Sequence, residues 1–409
     1  MTQEKLSKKS QLFKEFLSED SGFLKEIVKT SLQEILEAEM DETLGANKSE
    51  RSASRLGYRS GYYTRNLATR VGKIELRVPQ DRGGFFRTEI FERYQRSEKA
   101  LVTSLMEMYL QGVSTRKVKK ITEELCGTQF SAQTVSNLNK TLDAELEKFA
   151  TRKLDVEYPY LILDATYIKV RDHGVVRSQA TLIAIGVNWD GCREILAMEL
   201  ANRESTTSWR DFLIKLKERG LSGVNFVVSD NHEGIKKAVE ETLPIAIWQR
   251  CYVHFLRNAF DYLPRKKTID DVLTELRWIY ARSTLKDAKE ELCVWLNKWH
   301  EKYPKLCEWV EENIDSTLSY YILPKQHHKN MRSSNVLERL NEEIKRRTFV
   351  IRIFPNKESC LRLVRALGVE IQEFWIERSR YLNMDFYKEN QRLKMSEFII
   401  NDNKVLVGA

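Results

Sequence analysis

The sequence has 409 residues, of which 42% are hydrophobic, 10% aromatic and 31% charged. That composition is typical of a folded protein of two or three domains and excludes a disordered chain. No stretch approaches the roughly 18 uncharged apolar residues of a membrane-spanning helix, and MTQEKLSKKSQLFKEF lacks the apolar region of a signal peptide. The six cysteines include no CxxC pair, so we expect reduced thiols and a cytoplasmic protein without a membrane partner.

The net charge is +8, and it is unevenly distributed. Residues 46–100 contain thirteen lysines and arginines against six aspartates and glutamates. A compact basic region favours a polyanionic partner such as nucleic acid, although a solubilising excess of charge would give the same composition.

The N-terminal 97 residues predict a helix followed by a strand-containing basic region. Apolar residues recur at helical spacing as far as Gly45, and TRVGKIELRVPQDRGG then alternates like a half-buried strand. Arg59 and Arg65 interleave with tyrosines, which suits contact with phosphates and bases. A small β ribbon with an exposed charged face explains the pattern equally well.

Residues 98–150 return to helix and predict a helix-turn-helix DNA-binding domain. Ser114 and Ser131 are candidate N-caps of two successive helices in GVSTRKVKKITEELCGTQFSAQTVSNL. The side chains expected to face the DNA groove are Gln133, Thr134, Ser136 and Asn137. An ordinary helical hairpin is the alternative.

From Tyr158 the chain alternates strands and helices. YLILDATYIKV, SQATLIAIGV and REILAMEL predict three strands, the last two joined by a turn at Asp190-Gly191. A helix from about Thr207 to Arg219, the strand VNFVVSD, a helix at 234–242, the strand IAIWQRC and the helix YVHFLRNAF complete residues 151–264. This order predicts an α/β domain, a mixed sheet flanked by helices.

Residues 265–325 predict an all-helical insertion, with Trp278, Trp295 and Trp299 in a small core of its own. Residues 326–380 then contain a helix from about Ser333 to Arg347, and the tail at 381–409 gives little signal.

Three carboxylates are candidates for catalysis at phosphorus. Asp164 interrupts an apolar strand, Asp230 ends the fourth strand, and Glu338 lies on the late helix. Two Mg²⁺ or Mn²⁺ ions roughly 4 Å apart use such ligands to activate an attacking oxygen and stabilise a leaving one. Taken singly, Asp230 is more typical of a cap and Glu338 of a solvated helix face, whereas an unpaired carboxylate like Asp164 is costly in an apolar strand.

Several motifs together resemble the Mutator-like transposases of bacterial insertion sequences. They are YRSGYYTR, LRVPQDR, LDATYIKVR, VSDNHEGI, WQRCYVHFLRN and NVLERLNEEIKRR, and the resemblance is strongest from about Gly57 to Arg380. It implies a ribonuclease H-like catalytic core with an Asp-Asp-Glu triad formed by Asp164, Asp230 and Glu338. Asn231 stands where a glycine is common in the family, which leaves the triad unaffected.

The same motifs supply secondary candidates. Cys251 and His254 form a CxxH that is half of a possible zinc site without a second half, so we expect them to shape the site. Asn335 and Asn341 are expected to do the same. Lys345, Arg346 and Arg347 follow Glu338 and are candidates for contact with the DNA backbone, with a solvated helix end as the alternative.

The resemblance implies an enzyme that binds the terminal inverted repeats of its element, frees a 3′ hydroxyl and joins it to target DNA. Two ends must be brought together, so a dimer or larger assembly on double-stranded DNA, close to the bacterial nucleoid, is expected. The alternatives are an inactive DNA-binding regulator derived from such an enzyme, and a structure-specific nuclease without strand transfer.

Overall fold

A computed structural model describes residues 25–50, 55–69, 71–90, 98–126, 130–263, 270–377 and 380–389. The chain divides into two compact units, Met1–Thr141 and Leu142–Ala409. Within the described ranges, no helix combines the length and apolar character that crossing a membrane requires.

The described part of the first unit begins with a helix packed on a β ribbon. Helix α1 covers residues 25–44, and strands β1 (Arg59–Thr69) and β2 (Gly72–Asp81) pair antiparallel. Alternate residues of β2 are buried, as its sequence predicts, and they form one apolar cluster with Leu36 of α1. The predicted strand is therefore half of a ribbon, one of whose faces is covered by a helix.

The described residues of the first unit also form helices α2 (Lys99–Leu110), α3 (Thr115–Cys126) and α4 (Ala132–Lys140). Both serines predicted as N-caps have that role, because Ser114 Oγ accepts from Lys117 N and Ser131 Oγ from Thr134 N. Leu105, Val118 and Val135 are buried where the helices meet. The turn predicted between α3 and α4 lies partly at residues 127–129, outside the described residues.

The second unit contains a five-stranded mixed sheet in the order β5-β4-β3-β6-β7. Its strands are β3 (Tyr160–Asp172), β4 (Val175–Val187), β5 (Arg193–Ala201), β6 (Phe226–Ser229) and β7 (Ile247–Arg250). The first three pair antiparallel, whereas β6 and β7 run parallel to β3. The predicted mixed sheet flanked by helices is confirmed, and its first and fourth strands are neighbours.

Helices lie on both faces of this sheet. On one face, α6 (Thr206–Glu218) and α7 (Glu233–Thr242) pack against Leu161 and Leu163 of β3 in the main apolar cluster. Alternate strand residues point to the opposite face. There Gly368 of α14 (Lys357–Ile376) lies directly on Met198, where a Cβ would be only 2.6 Å from the sulfur. Helix α5 (Asp143–Thr151) is held to α14 by the Arg362–Asp143 ion pair.

A helical segment follows β7. It consists of α8 (Tyr252–Phe260), α9 (Asp270–Ile279), α10 (Leu285–Trp299), α11 (Pro304–Asn313), two 3₁₀ turns (Ile314–Thr317 and Ser319–Ile322) and α12 (Lys325–Met331). Residues 270–322 contain no strand. Trp295 is buried and its Nε1 donates to Val272 O, as expected of a local core. Trp278 is 49% exposed, so its predicted place in that core is wrong.

Helix α13 (Asn335–Ile351) returns the chain to the sheet. Beyond its end, Phe354 forms a parallel bridge with Val170 of β3. Phe354 N donates to Lys169 O, and Arg171 N donates to Phe354 O. These bonds tie the end of α13 to the strand that carries Asp164.

Candidate active site

Asp164 lies in the middle of β3, and its side chain is held by two hydrogen bonds. The residue is only 6% exposed. Asn341 Nδ2 donates to Oδ2 at 2.7 Å, and the backbone N of Ala165 donates to Oδ1 at 2.9 Å. Neither donor carries a charge, so the carboxylate is oriented but not neutralised by them.

The strand register brings Asp230 to the same level as Asp164. Ile162 of β3 is paired with Val228 of β6 across a parallel ladder. Each aspartate comes two residues later, and residues two apart on a strand point to the same side. Burial raises the pKa of Asp164 to about 6; the positive charge of His254 opposes the rise and the negative charge of Asp230 adds to it. The charges of the two acids therefore influence each other.

The turn after β6 fixes Asp230. His232 N donates to Asp230 Oδ1 at 3.0 Å, and His232 then caps α7 by accepting from Gly234 N. Asp230 therefore stabilises the turn before a helix, as an aspartate at this position often does. That role uses Oδ1 and leaves Oδ2 available for a second role.

Helix α13, which carries Glu338, contacts β3 at Asp164 through Asn341. Asn341, which donates to Asp164, follows Glu338 by three residues, so the two side chains lie on one face of the helix, about one turn apart. Glu338 Oε1 is buried and accepts no hydrogen bond, and Arg257 Nη2 is 3.5 Å from it. Asn335, the first residue of α13, is exposed.

Cys251 and His254 also reach this site. Cys251 follows β7, and its backbone N donates to Ser229 O, one residue before Asp230. The neighbouring Cys251 side chain is the largest cause that raises the pKa of His254 to about 9, and the charges of Asp164 and Asp230 add to it. Burial alone would raise the pKa of Cys251, but His254 and Ser334 more than offset that effect. The pKa of this thiol is therefore lower than its ordinary value.

The donor set fits a divalent cation held by few protein ligands. Among the described residues, no three His, Cys, Asp or Glu side chains stand close enough together to ligate one ion. Mg²⁺ commonly binds to one or two carboxylates and keeps water and phosphate as its other ligands. A buried, hydrogen-bonded Asp164, repelled by Asp230, suits such an ion because bound cations relieve repulsion between carboxylates.

Sequence reasoning missed one acid, Glu204. It lies between β5 and Ser205, the N-cap of α6, and only 9% of its side chain is exposed. In the sequence it stands in the polar stretch ANREST, which carries no signal beyond that of a helix start.

The residues predicted to contact DNA have different environments. Gln133, Thr134 and Asn137 are exposed on α4 and Ser136 is half-buried, with Gln133 Nε2 donating to Asn137 Oδ1. Arg65 is half-buried on β1 and Lys345 is exposed on α13.

Three of the predicted arginines have acidic partners. Arg59 forms ion pairs with Glu37 and Asp41, and its side chain is 12% exposed. Arg346 pairs with Glu343 but stays 58% exposed. Arg347 is 4% exposed and pairs with Glu343 and Glu370, which argues against its contact with DNA.

Comparison with known proteins places the chain in a family. The model of the Mutator family of transposases matches residues 1–378. The transposase of insertion sequence element ISRM5 from Rhizobium meliloti is 61% identical over 94% of this chain and 96% of its own length. The transposase of IS256 in transposon Tn4001 from Staphylococcus aureus is 40% identical over 88% and 93%. That of IS1081 from Mycobacterium tuberculosis is 37% identical over 94% and 93%. The chain belongs to the Mutator family of insertion sequence transposases.

Proposed function

We propose that this transposase cuts DNA at the ends of its element and joins the freed 3′ hydroxyl to a target at one site, formed by Asp164, Asp230 and Glu338. The observation that supports this most strongly is the convergence of three elements. The β3–β6 register sets Asp164 and Asp230 at the same height along neighbouring strands. The Asn341–Asp164 hydrogen bond connects the helix that carries Glu338 to the first of these aspartates. These contacts support a shared site for acids that lie far apart in the sequence.

Two Mg²⁺ or Mn²⁺ ions, when bound, would activate the attacking oxygen and stabilise the leaving oxygen in both displacement steps. Asp164 and Asp230 would hold them, and Glu338 would complete the set. Asn341 and Ala165 orient Asp164 through neutral donors, so its full charge stays available. The imidazolium of His254 lowers the free energy of holding two aspartates together when no ion is bound.

The sheet supports the further proposal of a ribonuclease H-like core. Three antiparallel strands followed by two strands parallel to the first, with helices on both faces, give the expected element order. The first unit, with its basic ribbon and helices α2–α4, is the proposed binder of terminal inverted repeats. Assembly of at least two copies on double-stranded DNA would bring the two ends together.

The test is incubation of the purified protein with labelled element ends and Mg²⁺ or Mn²⁺, followed by sizing of the products. Asp164→Asn, Asp230→Asn and Glu338→Gln should each lower cleavage by at least on the order of 100-fold, since even outer partners of a metal site contribute 10–100-fold. End binding in a gel shift should persist. Glu342→Gln, an exposed acid on the same helix, is the matched control.

The products also separate the other candidate functions. Cleavage by the unaltered protein without joined products would indicate a nuclease, and binding without cleavage an inactive regulator. Near-normal cleavage by any one of the three variants would remove that residue from the site.

A further inference from the structure

Glu204 is a buried acid whose environment leaves its charge uncompensated. Its Oε1 accepts from Trp209 Nε1 at 3.2 Å, and Tyr167 OH lies 3.5 Å from Oε2. In the described parts of the chain, no lysine or arginine forms an ion pair with it. The nearest basic atom is His232 Nδ1, 3.9 Å from Oε1.

His232 does not neutralise Glu204 through that atom. His232 Nδ1 accepts a hydrogen bond from Gly234 N at 3.1 Å, so its lone pair is used and it has no proton to donate to the carboxylate. A carboxylate that is nine-tenths buried with only neutral donors is costly. A glutamine would accept the bond from Trp209 equally well, so packing does not require an acid here.

Glu204 lies beside the turn that carries Asp230. His232 Nδ1 is 3.9 Å from Glu204 Oε1, and the backbone N of the same His232 donates to Asp230 Oδ1 at 3.0 Å. The proximity is also electrostatic. Burial and the charge of Asp230 raise the pKa of Glu204, and the charge of Glu204 in turn contributes to the raised pKa of Asp164.

We propose that Glu204 is a fourth carboxylate of the active site and, together with Asp230, binds a divalent cation. This inference rests on the proposed function, because it adds a ligand to the same site. Two carboxylates with water and phosphate oxygens are a sufficient set for Mg²⁺ or Mn²⁺. The ion supplies the positive charge that the protein does not place beside Glu204.

The decisive measurement is Mn²⁺ binding to the full-length protein without DNA, followed through the electron paramagnetic resonance signal of the free ion. Glu204→Gln keeps the shape of the side chain and an acceptor for Trp209 but removes the charge. It should weaken Mn²⁺ binding about tenfold or more. The matched control is Glu233→Gln, which removes an acid three residues from Asp230 whose side chain is 90% exposed, and it should bind Mn²⁺ normally.

Unchanged Mn²⁺ affinity in a folded Glu204→Gln variant would overturn the proposal and leave Glu204 as a packing partner of Trp209. Should that variant not fold, Glu204→Asp retains the charge and moves it by one methylene. An affinity changed several-fold is then expected, and an unchanged one overturns the proposal.

Asp164→Asn in the same titration separates this inference from the proposed function. Weaker Mn²⁺ binding by Asp164→Asn together with normal Mn²⁺ binding by Glu204→Gln would overturn only the role of Glu204. Normal cleavage by Asp164→Asn would sink the proposed site itself.

Discussion

Asn341 is the neutral side chain that orients Asp164 in the proposed site. It is 8% exposed and reaches from α13 to Asp164. A lysine or arginine there would hold Asp164 more tightly but would neutralise it. An amide donor orients the carboxylate and leaves its charge for a cation.

Replacement of Asn341 tests this organising role. Asn341→Ala should lower cleavage about 10–100-fold, because Asp164 loses the donor that fixes it, while DNA binding stays unchanged. Asn341→Asp should be at least as damaging, since it sets a second negative charge against Asp164. Cleavage of labelled ends beside Glu342→Gln measures both effects. Full activity in both variants would contradict the assignment.

For single residues, the sequence predicted a functional role where a residue type conflicted with its neighbours in the sequence. A charge inside the apolar run LILDAT predicted that Asp164 is special. Glu204 gave no such conflict, because its neighbours in sequence are polar and its burial arises only when Trp209 and Tyr167 fold over it. Burial of that kind is tertiary, and no local pattern reports it.

Among the elements, α13 matters most for the proposed site because it carries Glu338 and Asn341. Ion pairs hold its C-terminal half in place. Arg347 donates two hydrogen bonds to Glu370 of α14 and one to Glu343 on its own helix. These bonds fix the helix whose other end bears Glu338 and Asn341. The sequence-based assignment of Arg347 to DNA contact therefore gives way to a structural role.

Arg347→Ala should destabilise the protein by about 2 kcal/mol, the scale of hydrogen bonds to charged groups, and should leave DNA affinity unchanged. Arg346→Ala removes an exposed pair and should cost less than about 1 kcal/mol. Thermal unfolding and gel shifts on both variants give the comparison. A loss of DNA affinity in Arg347→Ala at unchanged stability would restore the original assignment.

Glu343, the acid paired with Arg346 and Arg347, should make the stability of the protein depend on pH. Hydrogen bonds from Arg346, and then from Arg347, lower the pKa of Glu343 to about 2 from an ordinary value of 4.5. Its contribution to stability is therefore complete above pH 4.5 and is lost as the pH falls towards 2. The difference in unfolding free energy between the native protein and Glu343→Gln should shrink across that window. Glu342→Gln should show no such change.

Strand and helix limits in the second unit follow the sequence closely, because apolar runs and caps are local signals. The register of β3 against β6 could not be derived this way, since it depends on which residues meet across the sheet. The prediction that Trp278 belongs to a local core was wrong for a similar reason. Helical spacing places it near an apolar face of α9, but only packing decides which face is covered, and Trp278 remains exposed.

At the scale of the whole molecule, the chain contains two compact units with separate apolar clusters. Residues 1–141 contain the basic ribbon and the α3–α4 pair, and residues 142–409 contain the carboxylates. We therefore predict that a fragment of residues 1–141 binds terminal repeat DNA by itself. Its affinity should fall steeply with salt, with a logarithmic slope of about −0.9 per phosphate contact.

A gel shift over a series of salt concentrations, with repeat and scrambled DNA, measures both affinity and specificity. Equal affinity for the two DNAs would reduce the first unit to a charge-driven binder. Ser131→Ala, which removes the cap of α4, should weaken preference for the repeat more than it weakens binding to scrambled DNA.

The order of these parts along the chain has a consequence for the timing of activity. Glu338 and Asn341 come long after Asp164 and Asp230, beyond the whole helical segment. During synthesis the N-terminal unit leaves the ribosome first and folds first. On the proposed function, a chain that is still being translated can hold DNA before Glu338 and Asn341 have been made. Such a nascent chain has no complete site, so cutting must wait for the synthesis of α13.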